Sequence, residues 1–217
     1  MKKALWSVAM SVVGLATMAQ AAPTLVDGSF ETMTGATKTS SIELGSGTYG
    51  SWTVASAPQT NVCYGNGNFG FAAQNELYSV ALQQYEVGTY NPDNIGRISQ
   101  TVAEFNVGDQ VTLSWYDRGR GDANGSLPYE VLANGIAVKT LSNADVSNSA
   151  WTLRTASFLA DSTLETFAFH ALHTSPVDGD QATGIDNVTL TVVSVPEPVS
   201  MGLLSIATAG LLMRRRH

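Results

Sequence analysis

The sequence predicts an all-β chain folded as an antiparallel β-sandwich or jelly roll. Three observations carry this. Helical 3.6-residue periodicity is scarce, while two-residue alternation of apolar and polar side chains is common. Nine or ten short apolar runs are separated by turn residues, the pattern of a sandwich rather than of alternating helix and strand. One Asn-Gly pair between two apolar runs marks a tight hairpin.

The elements follow in order. Leu25–Phe30 opens the series, and Trp52–Ala55 comes after Thr32 to Gly50, whose Thr, Ser and Gly content reads as a long loop. Val80–Gln84 and Arg97–Val102 are the next strand candidates. Val111, Leu113 and Trp115 alternate with Thr112, Ser114 and Tyr116, which assigns Trp115 to the buried face and Tyr116 to the opposite one. Val131–Ala133 and Ile136–Val138 flank Asn134-Gly135, a pair that accepts the positive φ angles of a type I′ turn. Leu153–Leu159 follows. Phe167, Phe169 and Ala171 alternate with Ala168, His170 and Leu172, and Val188, Leu190 and Val192 alternate with Thr189 and Thr191. Each is a strand with one apolar and one mixed face.

Composition narrows the function. With 44% hydrophobic residues in 217, the chain is no disordered acidic tail. Its one cysteine, Cys63, excludes an intrachain disulfide. A net charge of −7 excludes the basic face that nucleic-acid binding needs. Five of the eleven cations, Lys2, Lys3, Arg214, Arg215 and Arg216, sit at the two ends. The body between them, residues 22–194, carries six cations against seventeen carboxylates, and its length suits one domain.

Both ends read as addresses. Lys2 and Lys3 precede an uncharged apolar run from Ala4 to Met18, and Ala19-Gln20-Ala21 supplies the small residues that a signal peptidase reads. Residues 1–21 are therefore expected to be a signal helix removed on export. At the other end, Val195-Pro196-Glu197-Pro198 is followed by an apolar run from Val199 to Met213 and then by Arg214, Arg215 and Arg216. As a helix that run is about 22 Å long at about 1.5 Å per residue, a short transmembrane helix whose arginines stay on the cytoplasmic side. From the residues alone, this is a C-terminal membrane anchor.

The three-part tail, residues 195–217, closely resembles the PEP-CTERM sorting signal of exported proteins in Gram-negative bacteria. The resemblance implies recognition by an exosortase, a membrane-embedded cysteine protease. It also implies passage through the inner membrane to the cell surface or an extracellular matrix rich in exopolysaccharide.

The body also resembles the galactose-binding-like jelly roll of many carbohydrate-binding modules. The matching pieces are Asp27-Gly28-Ser29-Phe30-Glu31, Trp52, Ala81-Leu82-Gln83, Ile98 to Val102, Val111 to Trp115, and Gly184-Ile185-Asp186-Asn187-Val188. That resemblance implies a structural calcium ion where the first and last strands meet, with Asp27, Glu31 and Asp186 as ligand candidates. Calcium takes six to eight oxygens, and carboxylates supply the charge. The plainer role for these acids is to hold loop backbone.

Glycan recognition calls for aromatic faces beside polar groups. The available aromatics are Trp52, Tyr64, Tyr78, Tyr85, Tyr90, Trp115, Tyr116, Tyr129 and Trp151. Tyr116 leads into Asp117, Arg118, Gly119 and Arg120 as its strand ends, and Tyr85 and Tyr90 flank another loop. Convergence of these loops would build a polar cleft from Tyr85, Tyr90, Tyr116, Arg118 and Arg120. The alternative is ordinary packing with arginine–carboxylate pairs. His170 and His173 fall on opposite faces of a strand and do not make a shared metal site. No Gly-x-Ser-x-Gly elbow occurs, and Cys63 sits in a Gly/Asn-rich stretch without a basic activator. The expectation is a non-enzymatic, exported glycan-binding module. A structural or adhesive matrix protein without a defined ligand is the alternative, and a hydrolase is a third reading that lacks a catalytic set.

Overall fold

The computed structural model describes residues 21–33, 41–55, 60–64, 69–85, 95–121, 125–172 and 180–194, with Tyr64 and Tyr85 described by their backbones alone. The expected signal helix up to Gln20, Tyr90, His173 and the whole sorting segment from Val195, Pro196, Glu197 and Pro198 to Arg214, Arg215 and Arg216 lie outside these residues. Among the described residues no helix is long and apolar enough to cross a membrane.

The body is all-β, as its alternation predicts. Among the described residues twelve strands run β1 (Ser41–Leu44), β2 (Gly47–Tyr49), β3 (Trp52–Val54), β4 (Thr60–Tyr64), β5 (Tyr78–Tyr85), β6 (Arg97–Ala103), β7 (Gln110–Gly119), β8 (Tyr129–Ala133), β9 (Ile136–Leu141), β10 (Thr152–Leu159), β11 (Leu164–Ala171) and β12 (Asp180–Val193). They form two six-stranded sheets, in the order β1-β4-β5-β12-β7-β10 (sheet 1) and β2-β3-β6-β11-β8-β9 (sheet 2), and every pairing within them is antiparallel. From β5 onward the chain changes sheet at each connection except the β8–β9 hairpin. In that hairpin Asn134 and Gly135 have φ of 48° and 82°, the pair of positive angles a type I′ turn requires.

The inner faces pack Trp52, Trp115, Tyr129, Phe105, Phe167 and Phe169 into one core. Each is essentially inaccessible to water, and burying a large apolar side chain contributes about 1.5–3 kcal/mol. β7 shows the alternation plainly, with Val111, Leu113 and Trp115 inward and Tyr116 outward.

Three expectations need correction. Leu25–Phe30 is no strand. Asp27 and Phe30 have φ of 54° and 62°, and the Phe30 amide donates to the Asp27 carbonyl in a turn. The segment still lies beside the last strand, where the Val188 amide donates to the Gly28 carbonyl at 2.8 Å. The Thr32–Gly50 stretch is not one long loop, since β1 and β2 form within it. Both are sheet-edge strands of four and three residues with little to bury, so their composition gives no apolar signal. Finally, Cys63 belongs to β4 rather than to a loop. Thr60, Asn61, Val62 and Cys63 are all buried, because both faces of β4 are covered, and alternation disappears in a strand covered on both sides.

The cover on the outer face of sheet 1 is a second, smaller apolar layer. Phe69 and Phe71, from the segment before β5, pack on Cys63, Ala81 and Ala182, with Trp151 against them. Gly184 lies beneath this layer. A Cβ there would come within 2.7 Å of the Phe71 ring and 2.9 Å of Trp151, so only glycine permits the approach.

Candidate functional site

The expected acidic cluster is resolved into two separate clasps. Asp27 closes its own turn, accepting from the Thr32 amide at 3.1 Å and from the Thr32 hydroxyl, while its carbonyl accepts from Trp52 Nε1 at 2.8 Å. Glu31 and Asp186 work together on the covering segment. Glu31 Oε1 accepts from the amides of Leu77 and Tyr78 at 2.9 and 2.8 Å. Asp186 Oδ2 accepts from the amides of Gln74 and Asn75 at 2.7 and 3.0 Å, and its Oδ1 from Asn187 at 2.6 Å. A register shift in β12 between Asp186 and Thr189, with Asn187 at φ 48°, aims that carboxylate at the covering segment.

Glu31 Oε1 and both Asp186 oxygens thus hold loop backbone, the plainer role expected of these acids. Among the described residues no group of three or more His, Cys, Asp or Glu side chains stands together as a metal site.

Burial pushes the Asp186 carboxyl up to about 7, and the nearby Glu31 charge adds to the rise; the amide bonds from Asn75, Asn187 and Gln74 oppose it. Because the folded pKa lies above the ordinary carboxylate value, the contribution is fully present below about pH 4 and is lost as pH rises through about 7. Urea titrations are expected to show stability declining across that window, by on the order of 2–4 kcal/mol, with the slope flattened in Asp186→Asn. An identical slope in the variant would assign the titration to another group.

The residues expected to make a polar cleft separate in part. Tyr116 and Arg118 do share the outer face of sheet 1, on consecutive outward positions of β7. Trp151 stands beside them. It immediately precedes β10, whose first residue pairs with Asp117, and its ring lies over Gly184, the partner of Arg118 in β12. Trp151 Nε1 donates to the Ala72 carbonyl at 2.9 Å, and its ring meets Phe71 edge-on at 5.4 Å.

Arg120 is engaged elsewhere. It pairs with Asp180 and lies over the Phe69 ring, 5.2 Å from the centroid. Asp180 pairs in register with Tyr85 and also accepts from Gln83, which in turn accepts from Asn61 Nδ2 at 2.7 Å. A chain of polar groups thus crosses β4, β5 and β12 to the end of β7. Beside it, a cleft of about 280 Å³ is lined by Gly125, Ser126, Asn143, Ala144, Asn148 and Gln181.

Arg118 differs from Arg120. It is partly exposed, with Nη2 reaching toward Gly121, and its Nε is buried with no hydrogen-bond partner among the described residues. A buried donor left unmet costs about 1–3 kcal/mol, more for a charged group. That Nε is closed to solvent, so a ligand on this face would meet the partly exposed remainder of the Arg118 side chain.

The other candidates have structural surroundings. His170 faces outward on sheet 2, its Nδ1 3.0 Å from Glu130 Oε1. Burial holds the Cys63 thiol far above its ordinary pKa, against a smaller opposing effect from a hydrogen bond with the Ala81 backbone. Sequence reasoning named Trp151 only among the available aromatics and missed Phe71, Gln83, Asn61 and Asp180. Its signal would have been an aromatic pair, Phe69 and Phe71, in a stretch that otherwise reads as loop.

No protein-family model matches the chain, and no curated protein matches it. Solved structures with a similar course of chain include TmCBM61 in complex with β-1,4-galactotriose, at 13% identity and a TM-score of 0.48 over 79% of this chain and 99% of that one. Another is the CBM22-1 xylan-binding domain of Paenibacillus barcinonensis Xyn10C, at 15% identity and 0.44 over 71% of this chain and 94% of that one. A third is the enzymatically active domain of bacteriophage CBA120 tailspike protein 4, at 14% identity and 0.44 over 66% of this chain. The match spans only 20% of the tailspike chain.

Proposed function

We propose that this is an exported, surface-directed protein whose β-sandwich, of the galactose-binding-like kind, binds glycan on the outer face of sheet 1 through Tyr116 and Arg118. One observation carries the reading: the partly exposed Arg118 side chain stands two residues from outward Tyr116 on the same face of β7, with Trp151 beside them. A sugar presents an apolar ring face to the tyrosine and hydroxyl or carboxylate oxygens to the arginine. The tail supplies the address, with the PEP-CTERM segment delivering the body to the matrix in which such a ligand is found. The chemistry is binding, and no reaction is assigned.

The test is retention of the protein on the exopolysaccharide of its own host, measured as depletion from solution over a range of polymer concentration. Saturable retention is expected, weakened about tenfold or more in Arg118→Ala and in Tyr116→Ala. Arg118→Lys keeps the charge but loses the planar fork, so it should fall between the unsubstituted protein and Arg118→Ala. Absence of retention by the unsubstituted protein would favour a structural matrix component instead.

A further inference from the structure

Five of the nine large apolar side chains exposed among the described residues lie at one end of the sandwich. Val107, Ile136, Leu159, Leu164 and Val193 are each between 55% and 70% exposed. Leu159 and Val193 both pair with Gln110, one from each neighbouring strand, so they flank the start of β7 on the outer face. Val107 belongs to the adjoining β6–β7 turn, where the Gly108 amide donates to the Ala160 carbonyl at 2.8 Å. Leu164 pairs with Ala103 at the end of β6. Ile136 follows the hairpin turn, which Asn134 Nδ2 ties to Asp161 at 2.7 Å.

Both ends of the body emerge here. Ala21, Ala22 and Pro23 share a small cleft with Val192 and Ser194. Only four residues separate Ser194 from the apolar run that begins at Val199. The Tyr116 and Arg118 site lies toward the far end, since β7 spans about 30 Å at about 3.3 Å per residue.

We infer that this end of the sandwich is a membrane-contacting surface that rests on the lipid interface while the tail is inserted. The inference rests on the reading of the tail as a membrane segment. A tether of four residues keeps the body against the bilayer, and apolar side chains at its base enter the boundary between headgroups and acyl chains. Glu104 and Asp161, both exposed, sit on the same rim and would be repelled by an anionic surface, so the partner is a zwitterionic one. The geometry leaves the glycan-facing end pointing away from the membrane.

The test uses the full chain reconstituted in phosphatidylcholine vesicles, with an environment-sensitive fluorophore on Val107→Cys, on Leu159→Cys, or on Ser149→Cys at the far end. Buried Cys63 stays unlabelled. With brominated acyl chains in the bilayer, the probes at 107 and 159 are expected to shift to the blue and to lose roughly half their emission, while the probe at 149 is unchanged. Chains that float with the vesicles but show no quenching at 107 and 159 would overturn the surface and leave the anchor standing. A blue shift without quenching would mean that a second copy covers this end, which also overturns it. Failure to float removes the anchor reading and the surface with it.

Discussion

Replacing Arg154 by alanine is expected to lower the unfolding free energy by about 3–5 kcal/mol at neutral pH, the range for a buried charge stripped of its partner. Asp117 points inward on β7 and is wholly buried. Arg154 Nε stands 3.0 Å from both of its oxygens and Nη2 reaches the Asp145 carbonyl. Tyr129 donates to Asp117 Oδ2 at 2.8 Å and accepts from Trp115 Nε1 at 2.7 Å, so one network links an edge strand to the core.

Burial holds the Asp117 carboxyl above its ordinary pKa even with the Tyr129 and Arg154 interactions opposing it. Without Arg154 it rises further, so the deficit of the variant should shrink as pH falls and grow as pH rises. Asp117→Asn in the same chain keeps an acceptor for Tyr129 and removes the unpaired charge. It should restore much of the loss. A deficit under about 1 kcal/mol, or one that Asp117→Asn deepens, would show that the pair contributes little.

Phe71→Ala is expected to cost a similar amount, about 3–5 kcal/mol, because it removes the centre of the outer apolar layer. Its ring fills the space over Gly184, stacks near Phe69 at 6.1 Å and meets Trp151 at 5.4 Å. The loss should be local as well as global. Cys63 belongs to the same layer, so a thiol reagent that leaves the native chain untouched should modify it in Phe71→Ala. Glycan retention should weaken in parallel, since Trp151 beside Arg118 loses its support. A variant of near-native stability whose Cys63 stays protected would mean that Phe71 only decorates the sheet.

The legible part of this fold has one physical character. β6, β7, β10 and β11 alternate because one face meets the core and the other meets water, and the β8–β9 hairpin is signalled by the angles its turn demands. β4 was hidden because both of its faces are covered, and β1 and β2 because edge strands bury little. Leu25–Phe30 misled through apolar ends around a Gly-Ser turn. The site divides in the same way. Tyr116 was readable as outward, since a period of two fixes the side of a strand, but that β7 runs on to Gly119 and puts Arg118 on the same face was not. That Asp180 claims Arg120 and leaves Arg118 to itself was not, because those partners lie sixty or more residues apart.

By itself, then, the sequence determined that this chain is a sandwich with an acidic body between two basic, apolar ends. Those features rest on local periodicity and composition, which need no knowledge of what lies across the sheet. Only the tertiary structure decided which carboxylates clasp backbone, which arginine is left unmet, and that both ends of the body emerge beside one apolar rim. Each of these depends on strand register and on a second layer folded over sheet 1, and contacts between distant segments have no signature in either segment alone.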